Sequence, residues 1–129
     1  MILLDTHILI WAVEDSPRLS RTAASAIRRA RANDALSVSF ITLWELASLF
    51  AKGKIEPRGT LESSLRLLTE KVKVWPITVE IAALAAQFPN DYPKDPSDRI
   101  IGATARAEGL TLVTCDEKVL RSSLLRTLW

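Results

Sequence analysis

Met1-Ile2-Leu3-Leu4-Asp5-Thr6 opens the chain with an unbroken apolar run that stops on a carboxylate. A run this short, without polar alternation, suits a strand buried on both faces, as in a parallel sheet. A carboxylate directly after such a strand stands at its C-terminal edge, where open α/β sheets keep their ligand sites. The pattern returns near the other end in Leu110-Thr111-Leu112-Val113-Thr114-Cys115-Asp116. Two buried strands, each ending in an Asp, form the frame, and the intervening chain is read for what it adds at that edge.

After Asp5, the apolar stretch His7 to Val13 reads as helix and breaks at Glu14-Asp15-Ser16-Pro17. Ser20 is a fitting N-cap for a helix through Ala32 with a basic face of Arg21, Arg28, Arg29 and Arg31. Ala35 to Val38 reads as the second strand and Ser39 to Ala51 as a helix, with Gly53 where a terminating glycine belongs. Thr60 can cap a helix reaching about Val72, with Leu61, Leu65 and Leu68 on one face. Val72 to Ile77 reads as a third strand, confined by Pro76 to an edge or a strand end. A helix through Gln87 starts at Thr78 or the adjoining turn; a loop from Phe88 to Lys94 follows, then a helix opened by Asp95-Pro96 and closed by Gly109. Strand Thr111 to Thr114, a short helix over Glu117 to Arg121 and a final strand within Leu125 to Trp129 complete the order. Strands alternating with helices predict a mainly parallel sheet covered on both faces. The two helices between the second and third strands exceed what a crossover needs, and are expected to form a protruding arm that meets a partner.

The 129 residues suit a single domain, 1–129, with one sizeable core. No apolar run approaches the length of a membrane helix and no basic leader is evident, so a cytoplasmic location is expected. A lone Cys115, read as a small buried side chain at a strand end, fits a reducing compartment.

Four acids stand out, each with a plainer reading beside it. Asp5 is a helix N-cap or a ligand. Glu45 lies in Leu43-Trp44-Glu45-Leu46-Ala47-Ser48-Leu49-Phe50, apolar almost all round, with no Lys or Arg at helical spacing. A buried unpaired carboxylate is costly, so a metal ion or an Arg from elsewhere must neutralise it. In Asp95-Pro96-Ser97-Asp98-Arg99, Asp95 is assigned to the helix cap and Asp98 to the site. Asp116 is a cap for the helix at Glu117 or a ligand. Together they are four carboxylates with routes to one sheet edge, and the usual remedy for such crowding is a hard divalent cation with oxygen ligands. Mg²⁺ or Mn²⁺ suits an all-carboxylate set better than Zn²⁺, and the single histidine, His7, is left outside it. With those four set aside, 11 of the 15 acidic side chains remain against 17 Lys and Arg, despite a formal net charge of only +2. A moderately basic exterior around an acidic centre suits nucleic acid bound through a metal.

The segments Leu3-Leu4-Asp5-Thr6-His7 with Trp11, Ser39 through Trp44-Glu45, Asp95-Pro96-Ser97-Asp98-Arg99 with Ala103 and Ala105, and Leu112-Val113-Thr114-Cys115-Asp116 resemble, in this order and over essentially the whole length, a PIN-domain ribonuclease of the VapC toxin type. The resemblance implies a three-layer α/β/α fold with a mainly parallel sheet of four or five strands. It places the family's acidic quartet on Asp5, Glu45, Asp98 and Asp116, as metal ligands and catalytic residues, and its hydroxyl residue on Thr114. Ser97 departs from the aromatic residue usual at its position, which touches packing and not the acids. The implied activity is metal-dependent endoribonuclease, with in-line attack leaving a 5′-phosphate and a 3′-hydroxyl. Thr6 and Thr114 are expected to hold waters around the metal, with Asp95 close behind. Arg28, Arg29, Lys52, Lys54 and Arg99 are the expected contacts to the RNA backbone. The implied partners are an RNA substrate, a cognate VapB-like antitoxin whose C-terminal segment fills the groove, and a second copy of the chain. A non-catalytic module binding RNA or protein is the rival reading, against which the intact acids argue. A receiver domain or an Asp-x-Asp phosphatase would need acids that Asp5-Thr6-His7 does not supply.

Overall fold

A computed structural model describes the whole chain, Met1–Trp129. Its centre is β1 (Ile2–Leu4), flanked by β2 (Leu36–Ser39) and β4 (Thr111–Val113), with β3 (Lys73–Trp75) and β5 (Thr127–Leu128) at the edges. All four pairings are parallel, in the order β3-β2-β1-β4-β5. The chain builds outward from β1 through β2 to β3, then returns to the other side of β1 for β4 and β5. The strand order therefore reverses between β1 and β4, where such sheets open a crevice beyond the strand ends.

Burial on both faces follows from the strand period of two. Leu3 and Leu112 join one apolar cluster with Ile81, Tyr92, Ile101 and Val119. Their neighbours Leu4 and Val113 join the other, with Ile8, Leu9, Ile27 and Leu46. Helices α1 (Thr6–Val13) and α2 (Arg21–Ala32) cover one face. Helices α5 (Val79–Ala86), α6 (Pro96–Glu108) and α7 (Glu117–Leu120) cover the other, giving three layers. Between β2 and β3 lie α3 (Phe40–Ala51) and α4 (Leu61–Leu68).

Side-chain caps set the helix starts where short polar residues predicted them. Ser20, Thr60 and Thr78 each accept a hydrogen bond from the backbone N–H three residues on. Ser39, expected inside the helix, instead ends β2 and caps α3 through the Ile41 N–H. Gly109 closes α6 in the left-handed conformation that favours glycine.

Three expectations are corrected. Helix α4 ends at Leu68 and not near Val72. The Thr69 hydroxyl bonds back to the Leu65 carbonyl, and Lys71, at φ 59°, turns the chain into β3. The third strand is three residues long, stopping before Pro76, at the sheet edge to which that proline confines it. The two middle helices form no free arm: Leu46 of α3 is fully buried, and Leu65 and Leu68 of α4 pack on the same core as α1. Their outer faces nevertheless carry exposed Phe40, Trp44 and Leu67. No helix is long and apolar enough to cross a membrane.

Candidate active site

Because every strand runs the same way, the residues following β1, β2, β4 and β5 emerge at one edge of the sheet. Asp5 leaves β1 there and caps α1, its Oδ1 accepting from the Thr6 N–H at 2.9 Å. Its Oδ2 accepts from the Thr114 hydroxyl, also at 2.9 Å. Thr114 is fully buried at the end of β4, and its oxygen accepts in turn from the Asp116 N–H at 3.1 Å. One hydroxyl thus ties the acid after β1 to the acid after β4, and both oxygens of Asp5 are held.

Glu45 projects from the middle of α3, half-buried, and its Oε1 accepts from the Thr6 hydroxyl at 2.6 Å. Thr6 and Thr42 lie 3.0 Å apart, oxygen to oxygen, and both are buried. A hydroxyl has one hydrogen, and that of Thr6 goes to Glu45, so Thr42 is the donor between the two threonines. The chain Thr42 to Thr6 to Glu45 aims two buried donors toward one carboxylate. Thr42 was not singled out from sequence, although it precedes Glu45 by three residues, a spacing that places both on one helix face.

Asp98 sits in the first turn of α6, behind Asp95, whose side chain caps the helix through the Ser97 N–H at 2.8 Å. The division expected between these two acids, Asp95 for the cap, holds on that side. The carboxyl of Asp98 is pushed up to about 7, first by burial and then by Asp5, Asp95, Asp116 and Glu45. That coupling brings all four acids into one electrostatic neighbourhood. Burial also raises Asp5, against the hydrogen bonds from Thr114 and Thr6, and raises Glu45, against the one from Thr6.

No arginine or lysine neutralises the set. The single ion pair of the molecule is Arg66 with Glu62, exposed on α4. Nor are the acids a ready-made cage: no three His, Cys, Asp or Glu side chains stand close enough together to hold an ion. Asp116 turns its Oδ1 to cap α7 through the N–H groups of Lys118 and Val119. Asp116 is therefore a cap whose other oxygen remains free. The donors offered here are all carboxylate oxygens, which is the chemistry Mg²⁺ or Mn²⁺ takes.

Other sequence-based roles need correction. Thr6 and Thr114 are buried with their hydroxyls committed to Glu45 and Asp5, so they orient acids instead of holding waters. Arg99 is committed within the fold: its guanidinium donates to the carbonyls of Phe88 at 2.6 Å and Pro89 at 3.0 Å, fastening the end of α5 to α6. Arg28 and Arg29 stand in the last turns of α2, just before the turn that enters β2, and so lie at the opposite edge of the sheet from the acids. Lys52 and Lys54 are exposed beyond the end of α3, about 10 Å along the helix axis from Glu45. Cys115 is exposed and not buried.

Comparison with known proteins agrees with this architecture. The PIN domain family matches residues 2–122. The chain is 39% identical over 118 residues to Ribonuclease VapC22 of Mycobacterium tuberculosis, covering 92% of this chain and 88% of that one. Among solved structures it superposes on DNA-bound VapBC from Salmonella typhimurium with a TM-score of 0.72 at 22% identity, covering 99% of this chain and 98% of that one. VapBC2 from Rickettsia felis, bound to a promoter DNA fragment, gives a TM-score of 0.70 at 21% identity over 99% and 98% of the two chains. With the family matched over residues 2–122 and a relative 39% identical over nearly the full length, this chain belongs to the PIN domain family.

Proposed function

We propose that this chain, as a single domain over residues 1–129, is a metal-dependent endoribonuclease toxin that cuts cellular RNA. The observation that carries the reading is a set of four carboxylates at one sheet edge with no cationic side chain to neutralise them, in a chain 39% identical to a ribonuclease. Asp5, Glu45, Asp98 and Asp116 would hold Mg²⁺, or Mn²⁺ in its place. What a divalent cation supplies when bound is positive charge, which shields the carboxylates from one another and stabilises charge building on a phosphate.

The protein's own contribution is placement. Thr114 holds Asp5 from β4, and the Thr42–Thr6 pair holds Glu45 from α1 and its own helix, so these two carboxylates keep fixed directions. Asp98 accepts no hydrogen bond that would compete for its oxygens, and Asp116 keeps one oxygen free. Three carboxylates held by hydrogen bonds and one, Asp98, free to turn can close on an ion without rebuilding the backbone. Of the basic residues singled out from sequence, Lys52 and Lys54 are exposed, unpaired and free to meet an RNA backbone at a distance from the acids.

Similar solved structures are toxin–antitoxin complexes, which supports a VapB-like antitoxin as partner; a second copy of this chain and a cytoplasmic location rest on the family resemblance alone. An antitoxin Lys or Arg placed among the acids would neutralise them as a cation does. The test is incubation of antitoxin-free protein with total RNA, with Mg²⁺ or EDTA, beside Asp5→Asn. Discrete fragments that require Mg²⁺ and vanish in the variant are expected. Intact RNA from folded protein that still binds both Mg²⁺ and RNA would favour the non-catalytic binding module.

A further inference from the structure

Next to the acids, at the same edge of the sheet, the structure assembles a row of aromatic rings that the acidic site does not use. His7 is the second residue of α1, exposed, and follows Asp5 by two residues. One helical turn on, the Trp11 ring lies 6.4 Å from that imidazole, centroid to centroid, tilted by 59°. Trp129 follows β5, whose register sets Leu128 against Val113, so it leaves the sheet level with Thr114. Its ring lies 6.2 Å from that of Trp11. Residues from the two ends of the chain thus meet in one row that begins at the acids. The guanidinium of Arg18, exposed and in no ion pair, stands over the Trp11 ring at 5.7 Å.

Covering the core explains part of this. Trp11 and Trp129 lean on the apolar cluster beneath α1, but each is only partly buried. Core packing does not account for an exposed imidazole and an unpaired arginine on the same row. Flat rings with an adjacent cation are what single-stranded nucleic acids use: bases stack on aromatic faces, and an arginine adds charge against the backbone. A positive group is needed there in particular, because the acids beside the row repel phosphates.

We propose that His7, Trp11 and Trp129, with Arg18, form a stacking subsite for an unpaired base of single-stranded RNA, next to the bond to be cut. This rests on the ribonuclease reading above. It predicts preference for unpaired over duplex RNA, since a base inside a helix has no free face to offer.

The test is equilibrium binding of a fluorescent single-stranded RNA 12-mer, and of its duplex, by the full chain in EDTA, where cutting is not needed for the readout. Trp11→Leu and Trp129→Leu, checked for folding by thermal melts, are each expected to weaken single-strand binding about tenfold while leaving duplex binding unchanged. Trp11→Phe, which keeps a ring, is expected to retain most of the affinity. Quenching of tryptophan fluorescence by the RNA should persist in Trp44→Phe and Trp75→Phe and shrink in Trp11→Phe. Wild-type protein that fails to bind the single strand, folded leucine variants that bind it as wild type does, or equal losses for both RNA forms would each overturn the subsite. Because binding is read without cleavage, a failure of the nuclease reading leaves this result interpretable, and the reverse holds too.

Discussion

Replacing Asp98 by Asn should stabilise the metal-free protein at neutral pH while removing its activity. The carboxyl of Asp98 rises from an ordinary 3.8 to about 7 because it is half-buried among Asp5, Asp95, Asp116 and Glu45. A rise of roughly 3 units corresponds to a ceiling of about 4 kcal/mol once the group ionises. Solvent reaches about half of the side chain, and screening lowers the effect to roughly 1–2 kcal/mol. The sign follows from proton uptake. A group whose folded pKa is raised contributes its stability in full below the unfolded value, near pH 4, and loses it as pH climbs through 7. Above that the ionised Asp98 is a liability that Asn removes. Asn also forgoes a favourable charge in the first turn of α6, about 0.3–1 kcal/mol, which leaves a net gain of about 1 kcal/mol. For a chain of this size that is a rise in melting temperature of about 4 °C. The assay is a pair of thermal melts in EDTA, at about pH 8 and about pH 5. Asp98→Asn should melt higher at the first and exceed wild type by clearly less at the second, where Asp98 is protonated in the folded protein but still ionises on unfolding. Adding Mg²⁺ at the higher pH should raise wild type and barely move the variant, which should no longer cut RNA. A variant no more stable than wild type at about pH 8, or equally shifted at both pH values, would refute the account of four carboxylates crowded at one site.

Thr42→Val keeps the shape of the side chain but deletes the donor to Thr6, freeing Glu45 to wander. RNA cleavage should fall about tenfold, mainly in kcat, with Thr42→Ser near wild type; an unchanged kcat in Thr42→Val would remove Thr42 from the site. Gly102→Ala, which would stabilise an ordinary helix by about 1 kcal/mol, should destabilise this one. A Cβ there would stand 2.2 Å from the Tyr92 hydroxyl and 3.0 Å from the Phe88 ring, and Tyr92 is itself buried. Overpacking of this kind costs about 1–3 kcal/mol or more, so a lower melting temperature is expected, and a higher one would show that Tyr92 can move aside.

Much of the fold was legible because its signals are local. The apolar runs at Ile2–Leu4 and Leu112-Val113, the caps at Ser20, Thr60 and Asp95, the helix start at Thr78, and the stops at Gly53, Pro76 and Gly109 each act within a few residues. The acids were legible for the same reason: Glu45 is conspicuous inside an apolar helix, and Asp5 and Asp116 stand directly after buried strands. Absence of a cationic partner, by contrast, needed the structure, because an Arg from anywhere in the chain would have served.

The errors fell where function depends on what a side chain touches. Arg99 reads as a cation at the mouth of a site, yet it is held by carbonyls ten and eleven residues away. Arg28 and Arg29 form a basic helix face in sequence, but the direction of α2 carries them to the wrong edge. Thr6 and Thr114 were placed correctly beside the acids and misread in what they hold, since the Thr114 hydroxyl meets Asp5 across 109 residues of chain. Sequence by itself therefore determined the alternation of strands and helices, the edge where the acids gather, and the family. Tertiary structure alone decided which hydroxyl orients which carboxylate, which arginine is free, and which rings meet, because those choices depend on distances between segments that local periodicity does not encode.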